Sequence, residues 1–207
     1  MSRRRGAPYT LDARPSTVDP ALPARVLNSQ AGMMGLETSY RGRCSLFVAL
    51  CARIAVPIPG TPVPLSLSNF AVLVVGSLLG PRLGFAVLSL YLAEGAAGLP
   101  VFSPSGAPGL LRFVGPTAGY LISYPFVAGL AGYLFQRGKA TFARAVLAAA
   151  AAEILLFVCG ISWLFILTHS LAQAINFGFY WFVFAEIIKV MLAAGIAAKG
   201  RRLRLRN

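Results

Sequence analysis

An acidic and a basic residue, Glu186 and Lys189, lie within a long apolar stretch near the C-terminal end of the sequence. The stretch runs from Gly178 to Ala198, about 21 residues, which is enough for a helix to span a bilayer. The spacing of three residues places both side chains on one helix face. Charges at membrane depth cost several kcal/mol unless they pair or face a polar cavity. The pair is therefore a candidate functional site, and the alternative is an internal ion pair that only neutralises itself.

The composition of the 207-residue chain is that of an integral membrane protein. Hydrophobic residues make up 57% and charged residues 12%, whereas soluble proteins have about 45–50% and 25%. The polar N-terminal region contains no apolar core of the kind that a cleaved signal peptide needs. We therefore predict an all-α fold with three parts: a basic, mostly disordered arm over residues 1–40, a membrane domain over 41–199 and a basic tail over 200–207.

The net charge of +13 is concentrated at both chain ends and in two connections, around Arg82 and around Arg137 to Arg144. The other connections between the apolar segments hold almost no cations. This distribution is the positive-inside pattern of a helical bundle whose two termini are cytoplasmic, and basic flanks also attract anionic membrane lipid. It predicts a multi-pass protein of the plasma (inner) membrane and argues against nucleic-acid binding.

Apolar segments separated by turn residues predict six membrane-spanning helices, with approximate ranges 44–56, 67–79, 85–97, 118–135, 143–167 and 178–198. Four prolines within residues 57–64 prevent a helix there, and this charge-free loop is either a plug that enters the bundle or a surface loop. A second outer connection, Gly98 to Tyr120, is rich in glycine and proline and contains a short predicted helix at 110–114. Its glycines permit a close approach of the backbone to a ligand.

Several polar residues inside the predicted spans need partners or exposure. Arg53 is expected to pair with an acidic residue of another helix or to extend outward, and Glu153 to pair with Arg53 or another polar group rather than with a ligand. Glu94 is expected to be solvated or paired with Arg112. The three cysteines and the single histidine form no metal-ligand pattern, and the sequence contains no complete phosphate loop, nucleophile elbow or zinc motif.

Four motifs in order resemble the BioY family over about residues 44–198. They are Pro-Val-Pro at Pro62–Pro64, Leu-Gly-Pro-Arg-Leu-Gly at Leu79–Gly84, Gly-Leu-Pro-Val-Phe at Gly98–Phe102 and Gly-Pro-Thr-Ala-Gly-Tyr at Gly115–Tyr120. Members of this family are the biotin-binding S-components, the substrate-binding membrane subunits, of energy-coupling factor (ECF) transporters. The resemblance implies that biotin is bound on the outer side and released inward. It also implies a coupling subunit and two separate ATPase subunits that bind ATP, with no cofactor in this chain.

The family carries an aspartate three residues before a lysine in its last helix, and both contact biotin. The matching positions here are Glu186 and Lys189, so the acid is one methylene longer. Ser68 stands where the family usually has glutamine, and Ser66 where it usually has threonine. The glycine-rich ligand loop of the family corresponds to a segment richer in proline, Ser103–Gly109.

The chemistry of biotin fits these residue types. A carboxylate such as Glu186 accepts hydrogen bonds from the two ureido N–H groups, and Lys189 donates to the ureido oxygen. Backbone N–H groups of the loop could hold the valerate carboxylate, and aromatic side chains would contact the thioether ring and chain. The predicted biotin-binding residues are Ser68, Asn69, Tyr91, Phe102, Ser105, Gly106, Gly109, Thr117, Tyr120, Glu186 and Lys189.

Several of these residues have structural alternatives. Ser68 and Asn69 follow Pro64 at a predicted helix start, where helix capping competes with ligand contact. Thr117 belongs first to a turn, and Tyr91 and Tyr120 are often packing residues. For the whole chain, the resemblance implies a transport subunit that is not an enzyme. The alternatives are a membrane enzyme acting on a lipid or cofactor precursor with Glu186 as general base, and a purely structural bundle.

Overall fold

The computed structural model describes residues 39–137 and 141–206. The predicted N-terminal arm therefore lies outside the described residues, apart from residues 39 and 40, which begin the first helix. The described chain is a helical bundle with one two-stranded hairpin. Its elements in order are α1 (39–53), β1 (Ala55–Val56), β2 (Leu65–Ser66), α2 (Ser68–Leu79), α3 (Pro81–Ala96), a 3-10 helix (Gly109–Val114), α4 (Ala118–Gln136), α5 (Phe142–Thr168), α6 (Leu171–Ile175), a π-helical turn (Asn176–Tyr180) and α7 (Val183–Arg206).

Helix boundaries follow local turn chemistry. Gly80 has a φ of 87°, a conformation that glycine adopts without strain, and Pro81 occupies the first turn of α3, where its missing N–H costs nothing. The third helix therefore begins at Pro81, four residues before its predicted start. The side chain of Thr141 accepts a hydrogen bond from the N–H of Arg144 and caps α5.

The proline-rich connection after α1 differs from the prediction. The first helix ends at Arg53 rather than at residue 56, and Ala55 and Val56 pair in antiparallel register with Ser66 and Leu65. The prolines between them prevent a helix and leave a β-hairpin over residues 55–66. This hairpin connects α1 to the start of α2.

The last helix is also broken. The predicted start at Gly178 falls in the π-helical turn, and α7 begins only at Val183. The segments on the two sides of the break are bent by 46°. As a consequence, Glu186 lies in the first turn of α7, although the apolar run had placed it in mid-helix.

Close helix contacts in the core depend on glycine. A Cβ added to Gly76 of α2 would lie 2.3 Å from the backbone oxygen of Ala128 in α4, and one added to Gly132 of α4 would lie 2.5 Å from the oxygen of Gly76. Only the absence of a side chain allows the two backbones to approach this closely. Helix α4 packs against α2, α3 and α5, while α7 packs against α2 and α5.

The outer surface of the bundle is apolar. Leu147 and Ile154 of α5 are 70% and 65% exposed, and Phe184 of α7 is 81% exposed. Large exposed apolar side chains in such number suit contact with lipid rather than with water.

Two described helices, α4 and α5, are long and apolar enough to cross a membrane, and the bent segment Leu171–Leu203 is a third candidate. Helix α2 has 12 residues, about 18 Å at 1.5 Å per residue, against a hydrocarbon thickness of about 30 Å. The structure thus supports a helical membrane protein, while the six spans and the side of the termini remain predictions.

Candidate substrate-binding site

The break before α7 positions the charged pair at the start of a helix inside the bundle. Glu186 and Lys189 are each only 6% exposed. A carboxylate in the first turn of a helix is stabilised by the partial positive charge of the free N–H groups there. Neighbouring apolar residues of the same helix, including Phe184 and Ile187, point outward, so the charged face of α7 is the inner one.

The ammonium group of Lys189 has three acceptors. Its Nζ donates to Glu186 Oε1 at 2.8 Å, to Asn69 Oδ1 at 3.1 Å and to the backbone oxygen of Ser66 at 2.6 Å. Three bonds use every N–H of an ammonium group. Lys189 thus connects α7 both to the start of α2 and to the hairpin.

Asn69 is the centre of the polar cluster. Its Nδ2 donates to Glu186 Oε2 and, at 3.1 Å, to Oε1 of Glu153 on α5, while its oxygen accepts from Lys189. The side chain therefore does not cap α2, whose N-cap residue is Leu67 and has no side-chain cap. Capping was one of two open interpretations of Asn69, and it is wrong.

Ser68 likewise does not cap the helix. Its Oγ lies 2.7 Å from the hydroxyl of Tyr124 and 3.0 Å from Oγ of Ser66. The capping interpretation is therefore wrong for Ser68 as well. Tyr124 of α4, which the sequence did not single out, is 6% exposed and extends the polar cluster towards α4.

Glu153 is the second buried acid of the cluster. It is 5% exposed, and its Oε2 has no hydrogen-bond partner among the described residues. The predicted pairing with Arg53 is wrong, because Arg53 lies at the exposed end of α1 and donates to the backbone oxygen of Pro100 at 2.5 Å. The other expected partner, a polar group, is present in Asn69.

A cavity of about 70 Å³ lies against this cluster. Glu153, Glu186 and Asn69 contribute polar walls, and most of the remaining wall is aromatic and aliphatic. Val63 and Pro64 of the hairpin also reach the cavity, as the plug interpretation of this loop predicts. The other wall residues are Ala52, Ser66, Ser68, Tyr91, Ser103, Arg112, Thr117, Tyr120, Leu121, Tyr124, Leu156, Phe157, Gly178 and Phe182.

Arg112 of the 3-10 helix is a buried cation in the wall of the cavity, 4% exposed. Its guanidinium donates to the backbone oxygens of Ser105 and, at 3.2 Å, of Ser103, while its Nε has no partner within residues 39–137 and 141–206. The predicted pairing with Glu94 is wrong, because Glu94 accepts from Ser45 on α1. Burial lowers the pKa of Arg112, since a charged group loses solvation there.

The structure brings most of the predicted binding residues together. Ser68, Asn69, Tyr91, Thr117, Tyr120 and Glu186 line the cavity, and Lys189 is bonded to two of them. The hydroxyl of Tyr120 also donates to the backbone oxygen of Gly178 at 2.8 Å, which attaches α4 to the π-helical turn.

The other four predicted residues are not among those that line the cavity. Phe102 packs edge-on against Tyr91, with ring centroids 5.4 Å apart. Ser105 and Gly106 belong to the loop before the 3-10 helix, Gly109 is the first residue of that helix, and a Cβ on Gly106 would lie 2.0 Å from a guanidinium nitrogen of Arg112. Phe102, Ser105 and Gly106 thus contact the wall residues Tyr91 and Arg112.

Comparison with known proteins identifies the family. The BioY family model matches residues 36–206, most of the chain. The chain belongs to the BioY family. A BioY relative from Pyrococcus horikoshii, described as a probable biotin transporter, is 35% identical over 75% of this chain and 91% of its own length. The biotin transporter BioY of Thermotoga maritima is 33% identical over 78% of this chain and 95% of its own.

A solved structure supports the BioY assignment at the level of the fold. The chain is similar to the S-component for biotin from an ECF-type ABC transporter, with a TM-score of 0.75 and 24% sequence identity. The likeness covers 83% of this chain and 93% of that one. The family resemblance that the four sequence motifs suggested is confirmed.

Proposed function

We propose that this chain is a membrane subunit for biotin uptake, which binds biotin at the cavity between α2, α4, α5 and α7. The single observation that carries the proposal is the buried cluster of Asn69, Glu153, Glu186 and Lys189 at the wall of a mainly apolar cavity, in a chain that belongs to the BioY family. Relatives of this family are described as biotin transporters.

The cluster matches the hydrogen-bonding groups of a ureido ring. That ring offers two N–H donors on one edge and a carbonyl acceptor between them. Two carboxylates, Glu186 and Glu153, provide acceptors, and the unpartnered Oε2 of Glu153 is available for an N–H. Lys189 provides the donor for the carbonyl oxygen when its bond to the backbone oxygen of Ser66 is released. A site with such buried groups strongly disfavours ligands that leave them unpaired.

The remaining walls suit the rest of biotin. The thioether ring and the valerate chain are apolar, as are Leu121, Leu156 and Phe182, and Tyr91 and Tyr120 add aromatic faces. Thr117 and Ser68 contribute hydroxyl groups at the wall. In this proposal Phe102, Ser105, Gly106 and Gly109 form a backing layer that holds the wall in place.

Arg112 is the proposed partner of the valerate carboxylate. It is a buried cation in the cavity wall with an unpartnered Nε, and a guanidinium group binds carboxylates through charge-assisted hydrogen bonds. The backbone oxygens of Ser103 and Ser105 fix its orientation. The loop therefore contributes to carboxylate binding through this arginine in addition to its own N–H groups.

The cavity must widen before biotin enters, because about 70 Å³ is well below the ~300 Å³ at the lower end of ligand pockets. The hairpin over residues 55–66 is the proposed moving cover. Two hydrogen bonds join it to the C-terminal part of the chain: Thr61 Oγ1 donates to the backbone oxygen of Phe177 at 2.7 Å, and Lys189 donates to the backbone oxygen of Ser66. A ligand that engages Lys189 competes with the second contact.

The proposed topology has six helices that cross the plasma (inner) membrane and both termini in the cytoplasm. The domains are then the basic arm 1–40, the membrane domain 41–199 and the tail 200–207. The positive-inside pattern supports this orientation, and the two charge-poor outer connections lie beside the cavity.

We further propose that an ECF coupling subunit and two ATPase subunits, which bind the ATP, drive inward release, and that the chain itself needs neither a cofactor nor nucleic acid. The likeness to the S-component fold supports this arrangement. The alternative enzyme with Glu186 as general base is not favoured, because the relatives that match most of this chain are described as biotin transporters.

A vitamin-binding panel tests the proposal. The full chain, purified in detergent, is titrated with biotin, thiamine and riboflavin, and binding is followed by calorimetry. We expect saturable binding of biotin alone, because only its ureido ring matches two carboxylates and one ammonium group. Tight binding of thiamine or riboflavin, or no binding of biotin, would contradict the proposed function.

A further inference from the structure

A second cavity lies at the other end of the bundle, where the start of α1 meets the ends of α2, α4 and α7. It encloses about 590 Å³, within the range of ligand pockets. Along α7, 15 residues separate Glu186 from Arg201, about 22 Å of helix. This cavity, named the basic groove here, is therefore separate from the proposed biotin site.

One part of the basic groove is apolar. Phe47 of α1, which is 38% exposed, and Leu78 of α2 contribute side chains to it, together with Val74 and Val75. These residues belong to helices of a membrane protein, so the apolar wall adjoins the region where lipid chains lie. An acyl chain is the natural complement to such a wall.

The other part of the basic groove is cationic. Arg43, which is exposed, and Arg201 contribute guanidinium groups, and no aspartate or glutamate is among the described residues that line it. Arg201 is fixed by donation to the backbone oxygens of Phe135 and Gln136, at 2.5 and 2.9 Å. A fixed and an exposed guanidinium group that line the same cavity provide several donors for phosphate oxygens.

We propose that the basic groove binds an anionic glycerophospholipid, with the phosphate between Arg43 and Arg201 and one acyl chain against Phe47 and Leu78. The apolar wall and the two arginines together support this proposal. A soluble phosphate would gain nothing from the apolar wall, and a neutral lipid would gain less from the two arginines. This lipid proposal depends on the placement of the bundle in a membrane and is independent of biotin binding. The lipid proposal and the proposed biotin function can therefore fail separately.

A fluorescence quenching experiment tests the groove in the full chain. Phe47→Trp places an indole on the apolar wall, and the signal of the parent protein, from Trp163 and Trp181, is subtracted. The protein is reconstituted in phosphatidylcholine vesicles that contain increasing fractions of either phosphatidylglycerol or phosphatidylcholine with brominated chains. We expect brominated phosphatidylglycerol to quench the introduced indole at an at least fivefold lower fraction.

Arginine variants in the Phe47→Trp background separate the groove from general attraction to anionic lipid. Arg43→Gln should reduce the preference for phosphatidylglycerol about fivefold, the effect of one cation near an anionic surface. Arg82→Gln is the matched control, because Arg82 is exposed on α3 and does not line the groove, and it should leave the preference unchanged.

Three outcomes would overturn the proposal. One is a failed preference: equal quenching by the two brominated lipids would mean that the groove does not select an anionic headgroup, and no quenching of the introduced indole would mean that lipid does not enter. The second is an equal loss of preference in Arg43→Gln and Arg82→Gln, which would show only surface attraction. The third is abolition of the preference by inorganic phosphate, which would indicate an ordinary anion site. Biotin titration of the same variants should be unchanged.

Discussion

The substitution Arg112→Gln tests how the site recognises the carboxylate end of biotin. Arg112 is 4% exposed, lines the cavity and has an unpartnered Nε. Glutamine is polar and shorter and carries no charge, so it removes the charge-assisted hydrogen bond to the valerate group. The same change also removes the two bonds to the backbone oxygens of Ser103 and Ser105.

The size of the effect follows from the kind of bond that is lost. A hydrogen bond to a charged group contributes about 1.5–3 kcal/mol, and 1.4 kcal/mol corresponds to tenfold in affinity. The expected loss of biotin affinity is therefore about 12- to 140-fold. Loss of the loop contacts weakens binding further, and that part should be the same for a ligand without a carboxylate.

A pair of ligands separates the two contributions. Biotin and biotin amide are titrated by calorimetry into the wild-type chain, Arg112→Gln and Arg112→Lys. The wild type should prefer biotin over its amide by at least tenfold, Arg112→Gln should show nearly equal affinities, and Arg112→Lys should retain part of the preference. If Arg112→Gln keeps the full wild-type preference for biotin, Arg112 does not bind the carboxylate, and the reasoning is refuted.

Two further substitutions test the polar cluster and the helix packing. Glu153→Gln removes one of two buried carboxylates, so the unliganded protein should melt at a higher temperature. Its biotin affinity should fall about tenfold, because one acceptor for the ureido ring is lost. A lower melting temperature together with unchanged biotin affinity would contradict this role of Glu153. Gly76→Ala should destabilise the protein by about 1–3 kcal/mol or more, because the new Cβ would lie 2.3 Å from the oxygen of Ala128. The control is Gly195→Ala, because a Cβ at Gly195 meets nothing within 4 Å. This substitution should be neutral or should stabilise the protein by up to about 1 kcal/mol. Equal melting temperatures of the Gly76→Ala and Gly195→Ala variants would contradict the role of Gly76 in helix packing.

The helices were largely predictable because their signals are local. Gly80 and Pro81 marked the turn between α2 and α3, and the predicted fourth and fifth helices differ from α4 and α5 by at most one residue at each end. The break before α7 was not predictable from hydropathy, because the π-helical turn is as apolar as a helix. The hairpin was missed because its strands have two residues each, too few for an alternating pattern.

The residue types of the site were predictable, but their pairing was not. Charged side chains in an apolar run need partners, and this requirement singled out Glu186 and Lys189. The structure shows the salt bridge between them. The partners of Glu153 depend on which helices are neighbours, and the sequence does not contain that information. The only available signal was an acid alone in an alanine-rich helix, which predicted a partner in Arg53 or another polar group but did not identify Asn69.

The burial of Arg112 in the cavity wall was likewise not predictable from the sequence. From the sequence, Arg112 was expected only as one possible partner of Glu94. In the structure the backbone of the loop surrounds the guanidinium group, and Gly106, with a φ of 117°, leaves the space that it occupies. A single buried cation among backbone oxygens has no periodic pattern by which a sequence could reveal it.

The most direct test of the central claim is a calorimetric comparison of biotin binding by the wild type, Lys189→Ala and Lys199→Ala. Lys189 holds the cluster together, whereas Lys199 lies exposed on the same helix. We predict that Lys189→Ala weakens biotin binding at least tenfold, since a charge-assisted bond to the ureido oxygen is lost, and that Lys199→Ala binds like the wild type. Glu186→Ala should behave like Lys189→Ala. Equal biotin affinity in all four proteins would contradict the assignment of the site.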